Sequence, residues 1–429
     1  MPKDPTAQQE PNATPERIST GCCIAGGGPA GMMLGFLLAR AGVDVTVLEK
    51  HGDFLRDFRG DTVHPSTLEV LHELGLLEDF LKRPHQEVRE LVAYVGQQSV
   101  PIADLSHLPT QCKFIVLMPQ WDFLNFLAEN ARRYPGFHVR MECEATDILV
   151  DGDCVKGVRA TTKQGELHVR ADLVVAADGR HSTIRAKAGF EVMTLGAPID
   201  VLWMRIPRTP SDPPQSLGRV DAGKFLVMIN RADYWQCAYV IPKGGFDAIR
   251  AAGLAGFQSD IAQIAPFVSD RVAELKTWDD VKLLSVAVDR LRQWYRPGLL
   301  CIGDAAHAMS PIGGVGINLA IQDAVAAANL LAAPLRSRTV SIRDLRKVQE
   351  RRMFPTRATQ RLQVFVQDRV VTPALKSKTK IANLPLPLKL LRRWPLLRRI
   401  PARIVGVGFR PEHVKTRASG RENAAAPAR

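Results

Sequence analysis

No stretch of this 429-residue chain strings together about 18 uninterrupted apolar residues, so an ordinary transmembrane helix is not expected. The opening MPKDPTAQQEPNATPERIST lacks an apolar run, and a secretory signal is not expected either. Metal-ligand spacing is also missing. The seven cysteines (Cys22, Cys23, Cys112, Cys143, Cys154, Cys237 and Cys301) form no CxxC pair and no Cys/His zinc pattern. They read as reduced, buried residues of a cytosolic protein, with no metal site. Acidic residues are scarce in one place only. From Leu335 to Arg429 there are 24 Lys+Arg against 5 Asp+Glu, a net of +19, while the rest of the chain is net −6. A uniformly basic nucleic-acid binder would not be built this way, and no nucleic-acid partner is expected. What is present is ordinary globular material, 46% apolar and 24% charged, enough for roughly two to three domains.

Residues 1–19, with Pro2, Pro5, Pro11 and Pro15 among polar residues, read as a disordered lead-in. Gly21–Ala25 is a short apolar run, read as a strand, and it meets Gly26-Gly27-Gly28-Pro29-Ala30-Gly31. A helical pattern follows from Met32 and ends at Gly42, and a second strand closes at Glu49. Strand, glycine turn, helix, strand and acid make up the dinucleotide fingerprint. Gly26 allows the tight turn, Gly28 lets the backbone approach a pyrophosphate, and Gly31 lets the helix pack on the strand. The helix N-terminus carries the partial positive charge that phosphates need. Glu49 can accept hydrogen bonds from ribose hydroxyls. The bland alternative is a glycine-rich turn that holds no ligand.

Further on, Ser66 with Glu69 reads as a capping box, and Gly75 as the stop of that helix. Residues 88–118 suggest short strands. A helix over 122–133, led by Gln120, follows, then strands over 137–175 with turns at Asp151-Gly152 and Gln164-Gly165. Asp172 to Ala177 is a buried strand running into Asp178-Gly179-Arg180. Residues 199–242 form a strand-rich layer, with two helices expected between 246 and 275. Leu299 to Ile302 is another buried strand ending in Gly303-Asp304. It is followed by the loop Pro311-Ile312-Gly313-Gly314-Val315-Gly316 and a helix from Ile317 to Leu331.

Three motifs thus occur in order: GGGPAG with Glu49, DLVVAADGRHSTIR, and GDAAHAMSPIGGVGINLAIQDA. Together they resemble the single-component FAD-dependent aromatic hydroxylases, the group typified by p-hydroxybenzoate hydroxylase, over roughly residues 20–350. The ubiquinone-biosynthesis hydroxylases are similar. The resemblance implies an α/β fold: a Rossmann-type FAD-binding domain, an inserted strand-rich substrate domain, and here a C-terminal helical, basic extension. It implies that Gly26, Gly28, Pro29, Ala30, Gly31, Glu49 and Lys50 hold the ADP half of FAD. Arg59 would lie near the pyrophosphate, Gln120 and Asp304 with Gly303 near the ribityl chain, and Asp178 between the FAD and NADPH paths. Gly313, Gly316, Ile317 and Asn318 would face the flavin ring, with Pro311 and Gly314 beside its reacting edge. A reduced flavin needs backbone N–H donors where negative charge gathers, and glycines opening a helix supply them. The implied reaction uses NADPH or NADH and O2, and a flavin C4a-hydroperoxide delivers oxygen to an electron-rich ring. The cofactor carries that chemistry.

Several residues read differently from a simple transfer. His307 reads as structural rather than as a base. Arg180 and Arg185 are either solvated charges or part of the NADPH landing site. Val315 stands where relatives often place a polar residue. Flavin halogenases use W-x-W-x-I-P, whereas the matching stretch is Cys237-Ala238-Tyr239-Val240-Ile241-Pro242, which disfavours halogenation. No second GxGxxG exists, which argues against a two-dinucleotide reductase. The remaining rivals are a same-fold reductase or dehydrogenase that inserts no oxygen, and a membrane adaptor that keeps FAD only as structure.

The expected division assigns 20–85, 110–190 and 283–345 to the FAD-binding domain. It assigns 86–109 and 191–282 to the substrate domain, 346–416 to the basic region and 417–429 to a disordered tail. Trp203, Met228 and Tyr239 (with Met204) are candidate substrate-lining residues. The paucity of ionisable residues in that layer favours an apolar phenol or quinone-like substrate. Residues 384–411 alternate leucines with arginine pairs and are broken by five prolines, so they cannot span a bilayer. They read as a membrane-surface contact, a packed cap or a protein interface, in a protein of the cytoplasm or the cytoplasmic face of a membrane.

Overall fold

The computed structural model describes residues 15–55, 62–377 and 379–420. Arg59 therefore lies outside the described residues. The first unit is strand β1 (Glu16–Ala25), helix α1 (Pro29–Arg40) and strand β2 (Val45–Leu48), as the glycine motif predicts. Strand β1 begins earlier than expected. Glu16 to Ser19 pair in parallel with Leu167 to Arg170, so these four residues belong to the sheet and not to a lead-in. Helix α2 (Pro65–Glu73) also starts ahead of the expected cap. Proline takes the first helical position, where its fixed φ suits the helix and its missing N–H costs nothing, and His64 is the N-cap in place of Ser66. Helix α3 (Gln120–Ala131) starts at Gln120 itself.

The long strand β3 (Gly165–Ala176) lies on the other side of β1 from β2, with Cys22 opposite Leu173 and Val45. Such strands are buried on both faces, which is why they read as continuous apolar runs. Six of the seven cysteines are buried, two of them (Cys22 and Cys23) in β1, and all are free. Burial pushes both of those thiols up, so they are poor nucleophiles.

A second sheet of seven strands holds β4 (Ile199–Pro207), β5 (Lys224–Asn230) and β6 (Tyr234–Pro242). Two earlier strands, Glu90–Val95 and Gln98–Asp104, join its far edge, with Ala93 opposite Gly218. Alternation gives this sheet two apolar faces. On one face, Leu202, Met204, Leu226, Met228, Cys237 and Tyr239 pack with Phe257 and Ile261 of helix α4 (Leu254–Ile264). On the other, Val201, Trp203, Phe225, Val227, Ala238 and Val240 pack with Ile312 and Val366.

The chain then returns to the first sheet as β7 (Leu299–Cys301), beside β3, and enters helix α5 (Gly316–Arg336). Residues Ile312–Arg336 are long and apolar enough to cross a membrane by length and composition, but most of that stretch is buried inside the protein, as in a core helix. Helix α6 (Ile342–Val366) follows, and two short helices, α7 (Leu386–Arg393) and α8 (Arg399–Gly406), complete the basic extension. Residues 417–420 are not a loose tail, because the Ser419 N–H donates to the Arg40 carbonyl at 2.9 Å and the Arg40 guanidinium donates to the Thr416 carbonyl at 2.8 Å.

Candidate active site

The glycine turn has the geometry that a dinucleotide demands. Gly26 sits at φ +107°, and a Cβ there would lie 2.4 Å from the Ala177 carbonyl oxygen. A Cβ on Gly31 would lie 2.0 Å from the Gly26 oxygen, so α1 can approach β1 only with glycine at that position. Gly28 is different. A Cβ there would meet nothing within 4 Å, so its surroundings are open space, and no side chain caps the start of α1. The first N–H groups of α1 are thus left for an anion, and the pyrophosphate of FAD fits them. At the end of β2, Glu49 accepts the Gly27 N–H at 3.0 Å and the His51 N–H at 3.1 Å, which fixes its carboxylate beside the turn. Lys50 is exposed next to it, and Gln120 is buried at the start of α3.

Asp178 shapes the second motif. It accepts the Ser182 hydroxyl at 2.5 Å and the Ile184 N–H at 3.1 Å, and so holds the turn after β3. Burial outweighs these bonds and pushes its carboxyl up. Arg185 is neither a solvated charge nor free to receive a nucleotide. It is buried and donates to the Ala305 carbonyl at 3.3 Å and the Arg180 carbonyl at 2.6 Å. Arg180 itself stays partly exposed, 3.6 Å from Asp304. Gly303 and Asp304 follow β7 in a tight turn.

The loop from Pro311 to Asn318 is pinned from the opposite side of the site. Gly313 and Gly314 both have positive φ, and a Cβ on Gly314 would lie 2.5 Å from the Thr62 hydroxyl. That hydroxyl donates to the Gly314 carbonyl at 2.9 Å. The Asn318 side chain accepts from the His64 N–H at 2.9 Å and the Thr67 hydroxyl at 2.7 Å, and donates to the Thr62 carbonyl at 3.3 Å. Val315 is the residue before α5, and no side chain caps that helix. Its leading N–H groups, at Gly316 and Ile317, are left without a side-chain cap and carry the partial positive charge of a helix start.

Sequence reasoning missed two supports. The first is His64. It is fully buried, and burial pushes its ring down to about 4, so it is neutral at physiological pH. Its Nδ1 lies 2.7 Å from the Val405 carbonyl oxygen of α8, which can only accept, so Nδ1 carries the proton. The second is Asp323 on α5. It accepts the His307 Nε2 proton at 2.6 Å, the Gly303 N–H at 3.1 Å and the Arg352 Nε proton at 2.9 Å. His307 is therefore structural, as expected. An acid inside an otherwise apolar helix was the available signal, since a buried carboxylate must find partners.

The substrate-lining candidates separate. Trp203 shares a cluster with Ile312 of the loop. Met228 and Tyr239, with Met204, do not line the site. They point to the other face of the sheet, where Tyr239 packs edge-on against Phe257 with ring centres 5.3 Å apart. The strand period is two, so residues chosen without knowing the strand direction fall on both faces.

Residues 19–362 match the family described as FAD binding domain. The chain belongs to that family. It is similar to 6-methylpretetramide 4-monooxygenase from Streptomyces rimosus, at 34% identity over 92% of this chain and 94% of that protein. It is an FAD-dependent monooxygenase of the aromatic-hydroxylating group. It is also similar to dialkyldecalin synthase from Streptomyces rugosporus, at 31% identity over 73% of this chain and 65% of that one. Among solved structures, anhydrotetracycline hydroxylase OxyS from Streptomyces rimosus shares the fold, with TM-score 0.72 and 22% identity, covering 91% of this chain and 76% of the other. The FAD-binding family thus accounts for β1 through most of α6 and leaves the basic extension outside its match.

Proposed function

We propose that this monooxygenase uses NADPH or NADH together with O2 to hydroxylate a lipophilic phenol or quinone-like ring. The observation that carries the reading is the meeting of the pinned loop with the apolar sheet face, where Ile312 packs with Trp203, Phe225 and Val240. FAD, when bound, supplies the redox and oxygen chemistry. The chain's own residues bind, orient and exclude water. The turn at Gly26–Gly31 and Glu49 suit the ADP half, Asp304 with Gly303 the ribityl chain, and the N–H groups after Gly314 the flavin edge. Pro311 and Gly314 stand at the loop's bend, and Trp203 closes the apolar side. Arg180, partly exposed beside Asp304, is the cation left for an anionic reductant once Arg185 is accounted for. The basic segment 384–411 is read as a membrane-surface contact, which would place the enzyme at the cytoplasmic face of a membrane and suits a lipophilic substrate.

Mass spectrometry after aerobic turnover with NADPH and a panel of lipophilic phenols and quinone precursors tests the reading. A product heavier by one oxygen atom from a member of the panel supports the substrate class. No oxygenated product from any member, with NADPH oxidised throughout, turns that class down.

A further inference from the structure

Between Asp368 and Glu412 the chain has no acidic residue and eleven Lys and Arg. In the same segment four large apolar side chains stand in solvent: Leu386 at 68% exposure, Trp394 at 54%, Leu396 at 68% and Ile400 at 60%. They make up a third of the exposed large apolar side chains among the described residues, gathered within fifteen positions. Lys389, Arg392, Arg393, Arg399 and Arg403 are exposed around them. Among the described residues none of these cations is paired with a carboxylate; Arg392 donates instead to Gln98 at 2.7 Å.

The segment is not loose. Leu384 is buried against Val95 and Val100. Ala402 and Val407 pack against Leu105, Leu108, Ile115 and Leu117. Gly406 lies so close that a Cβ would reach 2.6 Å from Leu108. Arg398 ties the end of α7 by donating to the carbonyls of Leu391 and Arg392, both at 2.9 Å. A packed element thus leaves these apolar side chains and the cations among them in solvent. With no carboxylate in the segment to meet the cations, exposed Leu, Trp and Ile among charges of one sign match the interface of an anionic bilayer, with the apolar tips in the acyl boundary and the guanidinium groups at the headgroups.

We propose that Leu386, Trp394, Leu396 and Ile400, rimmed by Lys389, Arg393, Arg399 and Arg403, form a docking face for an anionic phospholipid bilayer. The proposal rests on the membrane-contact reading above and adds the lipid charge and the footprint. The docked element is the one whose inner edge supplies the Val405 carbonyl to His64, so the membrane lies one helix away from the support of the flavin loop.

The test is co-sedimentation of the full-length FAD-loaded protein with vesicles of pure phosphatidylcholine and of phosphatidylcholine with 30% phosphatidylglycerol. Two variants accompany it: Leu386→Ser/Leu396→Ser/Ile400→Ser and Arg393→Glu/Arg399→Glu. The expected result is binding to the anionic vesicles alone, weakened by salt and lost in both variants. Each charge removed should weaken it about fivefold. The flavin spectrum of both variants should match that of the parent, since the substituted side chains point away from the site. Binding to both vesicle types with equal strength, or anionic binding that survives either variant, overturns the footprint while leaving membrane contact standing. No binding to any vesicle at low salt overturns both.

Discussion

Replacement of Asp323 by alanine tests how the Gly303 turn is held. The carboxylate has no solvent exposure and joins three donors: the His307 ring, the Arg352 guanidinium and the Gly303 N–H. Burial alone would push its carboxyl up, but the His307 and Arg352 interactions outweigh burial and hold it below the usual range. Removal leaves the buried Arg352 facing only Glu412, 3.5 Å away, and the Arg410 carbonyl at 3.4 Å. Stranding a buried partner in this way costs about 3–5 kcal/mol. In a chain of this size roughly 2 °C is lost per kcal/mol, so the melting temperature should fall by about 6–10 °C. The double variant Asp323→Ala/Arg352→Met removes the stranded charge and should recover at least about 1 kcal/mol relative to the sum of the single changes. Urea unfolding of the FAD-loaded protein measures all three. The sign with pH follows from the lowered carboxyl. Its stabilisation is complete above the ordinary carboxylate value near pH ~4 and fades as pH falls through the lower folded value. Asp323→Asn should lack that acid limb. A loss below about 1 kcal/mol, or additive single changes, would refute the reasoning.

Gly314→Val should weaken FAD binding at least tenfold, read by flavin fluorescence on titration, because φ is +64° and the new Cβ would meet the Thr62 hydroxyl; a left-handed backbone alone costs a non-glycine residue about 1–2 kcal/mol. Met228→Ala should cost about 2–5 kcal/mol of stability with KM unchanged, whereas Trp203→Ala should raise KM, since the two lie on opposite faces of the sheet. Asp212, bonded to Arg271 at 2.9 Å and to the Trp235 ring N–H at 2.8 Å, is held at about 2 although burial alone would raise it. Its contribution, about 2 kcal/mol, is complete above pH ~4 and is lost as pH falls towards the folded value. Acid unfolding of Asp212→Asn should show a flatter limb over that window.

Local order was legible where one residue type has one physical use. Glycines at 26, 28 and 31 are each forced by a close approach or left open for a ligand, and the sequence pattern follows from that. The bend of the Pro311–Asn318 loop was legible for the same reason, since Gly313 and Gly314 both take positive φ. Strand facing was not. In β4 to β6 both faces are apolar, so alternation carries no mark of which side meets the loop, and Met228 was as good a candidate as Trp203. The supports at His64 and Thr62 were invisible because they act across 250 residues of chain or more, and Asp323 showed only as an acid in an apolar helix, with its partners unmarked. No local period encodes such a contact. Arg185 read as a solvated charge or a nucleotide contact because its partners, the Ala305 and Arg180 carbonyls and the Asp289 carboxylate 3.8 Å away, leave no local pattern in the sequence.

The extension beyond the family match ties back to the core at many places. Val405 holds His64, Glu412 takes Arg351 at 2.8 Å, His413 and Val414 meet Glu73, and Ser419 meets Arg40. Glu412 also pairs with Arg352, and through Arg352 with Asp323 and Gly303, while His64 reaches Asn318. The extension is thus coupled to the Gly303 turn and to the Gly314–Asn318 loop by short bonded paths. Linkage then makes the effect mutual. Whatever orders the extension favours the geometry of the Gly303 turn and the Gly314 loop, and FAD that orders those elements favours the docked extension. Deletion of residues 384–429 should therefore weaken FAD binding as well as lower stability, and the two losses should be smaller when FAD is in excess. A truncated protein that binds FAD as tightly as the full chain would mean that these bonds join the extension to the core without acting on the site.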